Sequence, residues 1–450
     1  MLRYSDLGLA TVTTSPKPNG AAPGGDGRAA GGRPMAAPDA QMFLMSAKVA
    51  NDQFLVFAFG GLPRDLAAAV DELRYRARAC AELRLRVVDD HSWRYPRWEP
   101  GEITPEQFSI HDSAGQDWQG CLDRVSRLAD DQLDASRLCW RVHVFPGIQG
   151  IPGVAAAGSV VVVQVAHALG DGTRSAALAG ALLGRSEPLP PVGLPDRGLL
   201  PWRAARAALA HRRLVRDTAD GSLAPPIPPR PASVINSGAR GSAAVRTLAV
   251  GRDALPGPTV TVGALVVISD ALAGYLSERG EDIGRLGAEV PISTGGARIV
   301  RAHNNFRNVG VGLYPELSRI GRAQRIAADL NAHRRRGEHP AMRSSAAAFA
   351  SVPAWFLRWG VSMFDPAVRS ATVTGHTVVS SVDRGPADLF FGGYPVVLTA
   401  GYPALSPMMG LTHGVHGIGG IVALSVHADS TVVDLDDYIA RLSDALGCQP

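Results

Sequence analysis

The sequence predicts a two-domain α/β protein, and three observations carry that expectation. The chain has 450 residues, more than one hydrophobic core usually serves, so two domains of similar size are expected. Strand-like and helix-like stretches alternate in a similar rhythm in both halves, with no short-period repeat of the solenoid type. Between the halves, Glu187 to Ser242 is dense in proline ("EPLPPVGLP", "APPIPPRP"), the composition of an interdomain bridge. The expected division is a disordered leader over 1–34, a first domain over 35–186, a crossover linker over 187–242 holding one basic helix, and a second domain over 243–450.

The elements follow in order. "PDAQMFLMSA" is followed by "NDQFLVFAFGG", an apolar run long enough for a strand. "LPRDLAAAVDELRYRARACAELRLRVVDD" carries apolar residues at helical spacing and then a short strand pattern, "LRLRVV". "GCLDRVSRLADDQLDASRLCW" reads as helix, "RVHVFPG" and "SVVVVQVAH" as strands, and "TRSAALAGALLG" as helix. The second half opens with the strand "AAVRTLAV", the helix "TVGALVVISDALAGYLSERG" and the strand "AEVPIST". Helices are expected over 319–336 and 341–363, then strands in "HTVVSSV", "PVVLTAGYPAL" and "GIGGIVALSVHAD", and a final helix "DLDDYIARLSDAL".

Composition excludes several classes. With 46% hydrophobic and 19% charged residues the chain is globular rather than disordered or collagen-like. A net charge of +4 is a mild excess, suited to an anionic small molecule or a lipid surface, and without a nucleic-acid-binding motif no nucleic acid partner is expected. Cys80, Cys121, Cys139 and Cys448 show neither C-x-x-C spacing nor a zinc-finger arrangement, which points to free thiols in a reducing cytoplasm. The start has Arg3 but no continuous apolar run before its Pro/Gly/Ala-rich stretch, so no secretory signal is expected. The segments 142–170 and 389–428 lack Lys, Arg, Asp and Glu, yet Gly and Pro interrupt both; they read as buried strands joined by turns rather than membrane spans.

The stretch with the most chemistry is Ser159 to Ser175, "SVVVVQVAHALGDGTRS". A neutral imidazole near physiological pH accepts and returns a proton, and a strand end would aim His167 at a cavity. A histidine after an apolar strand is more often a satisfied turn residue. Here Gly170 and Gly172 allow a tight turn and Asp171 can hold it through local hydrogen bonds or an ion pair, the rigid base that a proton-transfer group needs.

"AHALGDG", Ala166 to Gly172, resembles the H-H-x-x-x-D-G motif of the chloramphenicol-acetyltransferase-like acyltransferases. Its surroundings are similar to the bacterial wax ester synthase/diacylglycerol acyltransferase family. "APDAQMF" resembles that family's "SPLDAMF"-like opening, and Leu138-Cys139-Trp140 its P-L-W segment. "VPIST…NNFRNVGVGLYP", with Asn305 and Pro315 at the matching positions, and "SSVDRGP" resemble its later motifs. The likeness runs in order over nearly the whole chain after the leader. Ala166 replaces the family's first histidine, Ser381 its late asparagine, and Asp383-Arg384 stands where a Val-Pro-Gly turn is usual.

The resemblance implies two domains, each a mixed sheet flanked by helices, with a channel between them. It implies His167 as the general base that removes a proton from an alcohol, and Asp171 and Gly172 as structural motif residues. Asn304 and Asn305, in the polar run after His303, and Ser381 are read as channel or supporting residues, an Asn-rich turn before a strand being the alternative for the asparagines. The implied activity is acyl-CoA-dependent O-acylation of a lipid alcohol, such as diacylglycerol or a long-chain alcohol, to triacylglycerol or wax ester. Acyl-CoA is a substrate, and no cofactor or metal is expected. The altered motifs keep two alternatives open: an acyltransferase of the same superfamily with another acceptor, and an inactive relative that binds lipid or acyl-CoA.

Other patterns weigh less. His413 and His416 in "HGVHG" lack nearby carboxylate or thiol ligands for a metal. There is no G-x-S-x-G elbow, Walker A loop or dinucleotide fingerprint. The basic stretches "WRAARAALAHRRLVR" and "HRRRGEH" read first as solvated helix faces, with peripheral membrane or lipid-droplet contact as the alternative. A cytoplasmic location, with or without such contact, is expected.

Overall fold

The computed structural model describes residues 32–113, 115–237, 242–294 and 300–447. The expected leader lies outside these residues except for its last three, and Cys448 lies outside them too. In the first half the chain forms β1 (Arg33–Pro34), α1 (Ala37–Ser46), β2 (Gln53–Phe59), α2 (Leu66–Ala79), β3 (Leu85–Val88), β4 (Arg97–Pro100) and β5 (Phe108–Ile110). It continues through α3 (Trp118–Arg127), β6 (Trp140–Ile148), β7 (Gly158–Val165) and α4 (Gly172–Leu182). The bridge holds α5 (Leu200–Ala219) and β8 (Arg230–Pro231). The second half comprises β9 (Ala243–Gly251), α6 (Val260–Ser277), β10 (Gly287–Ser293), β11 (Phe306–Gly312), α7 (Arg319–Glu338), α8 (Pro340–Phe349) and α9 (Ala354–Ser362). It closes with β12 (Thr372–Val373), β13 (Thr377–Asp383), β14 (Phe390–Phe391), β15 (Tyr394–Gly401), β16 (Leu411–Ile418), β17 (Ile421–Asp429) and α10 (Leu435–Leu446).

Two six-stranded mixed sheets organise these elements, in the orders β14-β15-β2-β7-β6-β5 and β11-β10-β13-β16-β17-β9. In the first sheet only β5 and β6 run parallel; in the second, β13 runs parallel to both β10 and β16. The valine-rich β7 is buried along its whole length, as a central strand covered on both faces must be. Its two polar side chains are satisfied there: Ser159 Oγ donates to the Gly61 carbonyl at 2.9 Å, and Gln164 Nε2 donates to Asp52 Oδ2 at 2.7 Å and to the Asp131 carbonyl at 2.8 Å while its Oε1 meets His143 Nε2 at 3.0 Å.

Two strands leave their own half. β15 pairs antiparallel with β2, and β14 with β15, so both extend the first sheet, although 243–450 is the second half in sequence. Each sheet has its own core, and a third apolar cluster joins Phe54, Val56 and Trp118 of the first half to Val245, Leu398 and Ala423 of the second. Helix α6 is long and apolar enough to cross a membrane by length and composition, but it is largely buried and packs on α7 and α10.

"PDAQMFLMSA" forms helix α1, with Pro38 in its first turn, where a missing N–H costs nothing. Two local expectations change. The helix expected through Trp140 ends by Asp130, because Asp134 draws the Ser136 N–H (2.9 Å) and hydroxyl (2.6 Å) into a local turn that competes with helix. The single helix expected over 341–363 is two, α8 and α9, broken before Pro353, which disfavours helical geometry at Val352.

Candidate active site

Strand β7 ends at Val165, and His167 opens a single turn of 3-10 helix, His167–Leu169, instead of ending the strand. That turn leads into α4, whose N-cap is Asp171. One oxygen of Asp171 accepts the Arg174 N–H at 3.0 Å and closes the first turn of α4. The other accepts the Asn305 N–H at 2.9 Å, which ties the motif loop to the second half. Asp171 thus holds two segments 134 residues apart in sequence.

Gly172 supplies room. A Cβ there would stand 3.1 Å from Val382 Cγ2 of β13. Gly170 has φ 175, an extended value open to any residue, so the sharp turn does not depend on left-handed backbone at that position.

The His167 ring is part-exposed and lines a cavity of about 430 Å³. Residues of both halves form its walls, among them Phe54 and Thr173 from the first and Pro291, Phe306, Ser381 and Tyr402 from the second. Phe306 lies against the imidazole with ring centroids 5.5 Å apart. Burial holds the His167 pKa below its ordinary value, so the ring is neutral near pH 7.

Asn304 determines which nitrogen carries the proton. Its Oδ1 is 2.9 Å from His167 Nδ1. Its Nδ2 donates to Asp39 Oδ1 at 3.1 Å and to the His167 carbonyl at 2.9 Å. Because the amide nitrogen is engaged, the oxygen accepts, and His167 Nδ1 must be the protonated one. Nε2 is left with a lone pair, the form a general base requires.

Behind this pair stands Asp39, 1% exposed, in the first turn of α1. Its Oδ1 accepts the Asn304 N–H at 2.9 Å as well as Nδ2, and its Oδ2 accepts the His303 N–H and Nδ1–H, each at 3.0 Å. Four N–H groups on one carboxylate lock 303–304 to α1. Sequence reasoning did not single out Asp39, although it sits in the quoted "APDAQMF"; an acidic residue beside apolar neighbours on a short helix was the available signal.

The expected supporting residues fall in different places. Neither Asn304 nor Asn305 lines the cavity; Asn304 works from behind His167, and the Asn305 side chain donates to the Ala302 carbonyl at 2.6 Å. Ser381 does line the cavity, and its hydroxyl is 2.8 Å from that of Thr261. Ala166 packs in the first core, off the cavity wall. His413 and His416 lie on buried β16, where His413 bonds to Thr377 (2.8 Å) and Tyr438 (2.7 Å). No group of three or more His, Cys, Asp or Glu suited to a metal occurs among the described residues.

A second cavity of about 200 Å³ adjoins the first and shares with it the walls formed by Ala50, Asp52, Phe54, Tyr402, Ala404 and Leu405. Its further lining, including Val125, Ala129 and Val245, is mostly apolar. Asp52 stands between the two, and burial pushes its carboxyl up to about 6.

No protein-family model and no curated protein sequence matches the chain. Its fold is similar to that of a wax ester synthase/diacylglycerol acyltransferase from Marinobacter aquaeolei VT8, at a TM-score of 0.58 and 18% identity over 92% of this chain and 98% of that one. It is also similar to a mutant starter condensation domain of rhizomide synthetase in complex with C8-CoA (TM-score 0.56, 15% identity, 92% of this chain and 93% of that one). A third likeness is to the first condensation domain of the calcium-dependent antibiotic synthetase in complex with a substrate analogue (TM-score 0.54, 17% identity, 93% and 95%). The chain therefore has the two-domain chloramphenicol-acetyltransferase-like fold, with mixed sheets flanked by helices.

Proposed function

We propose that the chain is an acyl-CoA-dependent acyltransferase in which His167 is the general base. The observation that supports it most is a neutral imidazole, protonated on Nδ1 by its bond to Asn304, on the wall of a cavity between the two halves. In this reading His167 Nε2 takes the proton of an acceptor hydroxyl as its oxygen attacks the thioester carbonyl carbon. The tetrahedral adduct collapses with cleavage of the C–S bond, and the imidazolium returns the proton to the departing thiolate. No bound cofactor enters the step. The adjoining apolar cavity suits part of an acyl chain.

For the acceptor, the reading from sequence is a neutral lipid alcohol, giving triacylglycerol or wax ester at a cytoplasmic or membrane-peripheral location. The similarity in fold to a wax ester synthase/diacylglycerol acyltransferase supports it. A second reading, the same transfer to an acceptor of another class, is favoured by a buried cationic side chain, Arg384, on the cavity wall. The test is free-thiol release from palmitoyl-CoA with hexadecanol or dipalmitoylglycerol, run beside His167→Ala with the products identified. Acceptor-dependent release that the variant loses supports the base; release equal in both proteins overturns it.

A further inference from the structure

We propose that Arg384 is the recognition group for a carboxylate carried by one of the substrates of the His167 reaction. The inference rests on the acyl-transfer reading of the cavity and narrows its substrate class. Arg384 is 4% exposed yet lines the same cavity as His167. Its Nη1 donates to the Ala400 carbonyl at 2.8 Å, the Val56 carbonyl at 3.4 Å and the Thr399 hydroxyl. The guanidinium carbon is 5.1 Å from the ring centroid of Phe57. Its Nε has no partner among the described residues.

Among the described residues no carboxylate pairs with this charge. Asp383, the preceding residue, turns outward to Arg252 at 3.2 Å and to the Gly385 N–H at 3.0 Å. Of the two carboxylates on the cavity wall, Asp171 caps α4 and holds the Asn305 N–H, and Asp52 Oδ2 accepts from the Leu133 N–H at 2.8 Å and Gln164 Nε2 at 2.7 Å, while Asp52 Oδ1 bonds to none of the described residues, Arg384 included. Burial without a counter-charge pulls the Arg384 pKa down to about 9, which still leaves it protonated at neutral pH. Holding a buried cation with neutral acceptors alone is costly, and an anionic ligand would offset that cost.

The surroundings fit a carboxylate. A guanidinium presents a planar fork that matches two carboxylate oxygens. Beside it lies His416, buried on the same wall with Nδ1 unpartnered and held neutral by burial and by the nearby charge of Arg384, so one ring N–H is free to donate to the same anion. The two groups meet at Gly401, where a Cβ would come within 2.7 Å of Arg384 Nη2 and 2.9 Å of His416 Cε1. Arg384 is the only Lys or Arg among the described residues lining this cavity; a single cation suits a monoanion better than a phosphate dianion. The carboxylate belongs either to the acceptor, as in a hydroxy acid, or to the acyl group, as in the half-thioester of a dicarboxylic acid.

The experiment measures thiol release by the full chain in two arms, with calorimetric binding in parallel. The acceptor arm compares 3-hydroxybutyrate with its methyl ester, using butyryl-CoA as donor. The donor arm compares succinyl-CoA with butyryl-CoA, using hexadecanol as acceptor. The expected result is a preference of about tenfold or more in kcat/KM for the carboxylate form in one arm, abolished in Arg384→Gln and partly kept in Arg384→Lys. Thermal melts of both variants show whether they fold. Turnover with no carboxylate preference in either arm, or a preference that Arg384→Gln retains, overturns the carboxylate site and leaves the acyl-transfer reading intact. If nothing turns over but 3-hydroxybutyrate or succinate binds the wild type and not folded Arg384→Gln, the site stands and the acyl-transfer reading falls.

Discussion

The side-chain oxygen of Asn304 lies 2.9 Å from Nδ1 of His167, and the nitrogen of the same amide is bound to Asp39. The amide thereby cannot flip without placing its NH₂ against an N–H and its oxygen against a carboxylate. This single constraint makes His167 Nε2 the basic nitrogen.

Replacing the base tests the proton transfer directly. His167→Ala is expected to lower kcat/KM by about 10²–10⁴-fold, the usual contribution of a positioned general base. Binding of palmitoyl-CoA, measured by calorimetry, is expected to persist, because the rest of the cavity wall is unchanged.

Asn304 acts through His167 and is a positioning residue. Asn304→Ala is expected to reduce kcat by about tenfold or more with little change in KM, since the imidazole loses its Nδ1 acceptor while the cavity lining stays in place. A structural role alone would instead lower the fraction of folded enzyme, which active-site titration separates from a slower turnover.

Asp39 is a stability residue first. Asp39→Asn keeps the shape but turns an NH₂ toward some of the four N–H groups the carboxylate accepts. Loss of buried charged hydrogen bonds predicts destabilisation of about 3 kcal/mol, read from urea unfolding midpoints. Unfolding of the variant within a few tenths of a kcal/mol of wild type would contradict the anchoring role.

The histidines set the acid limb. Since burial lowers the His167 pKa, the acid limb of kcat/KM is expected below the ordinary imidazole value of about 6.5. Stability follows the same sign. Burial lowers His143 to about 4 and His413 to about 3, so the unfolded chain takes up these protons at higher pH than the folded one. Stability is therefore full above about 6.5 and is lost as pH falls toward 4 and below. Asp52, raised to about 6, works in the opposite sense and is outnumbered. Equilibrium unfolding at pH 8, 6 and 4.5 checks the trend; a stability maximum at the lowest pH would refute it.

Local signals on the chain were enough to expect two mixed α/β halves, the order of most elements, His167 as the titratable ring and Asp171 as the residue that holds its turn. Those features depend on residues a few positions apart: a valine run, a helical period, a capping carboxylate before α4. The split of α8 from α9 was legible too, since Pro353 is in plain view, but helical spacing outweighed it.

What only the tertiary structure decided are relationships across long separations. Asn304 and not its neighbour Asn305 meets His167, because the chain enters β11 with Asn304 facing Asp39 and Asn305 offering its backbone to Asp171. β15 joins the first sheet because its partner β2 is brought alongside by packing, and a strand's own pattern does not name its neighbour. Arg384 reads as half of a charged pair in "SSVDRGP", yet successive residues of an extended chain point to opposite sides. Asp383 therefore goes to solvent and Arg384 into the cavity, without a counter-ion among the described residues, a separation that the linear sequence cannot display.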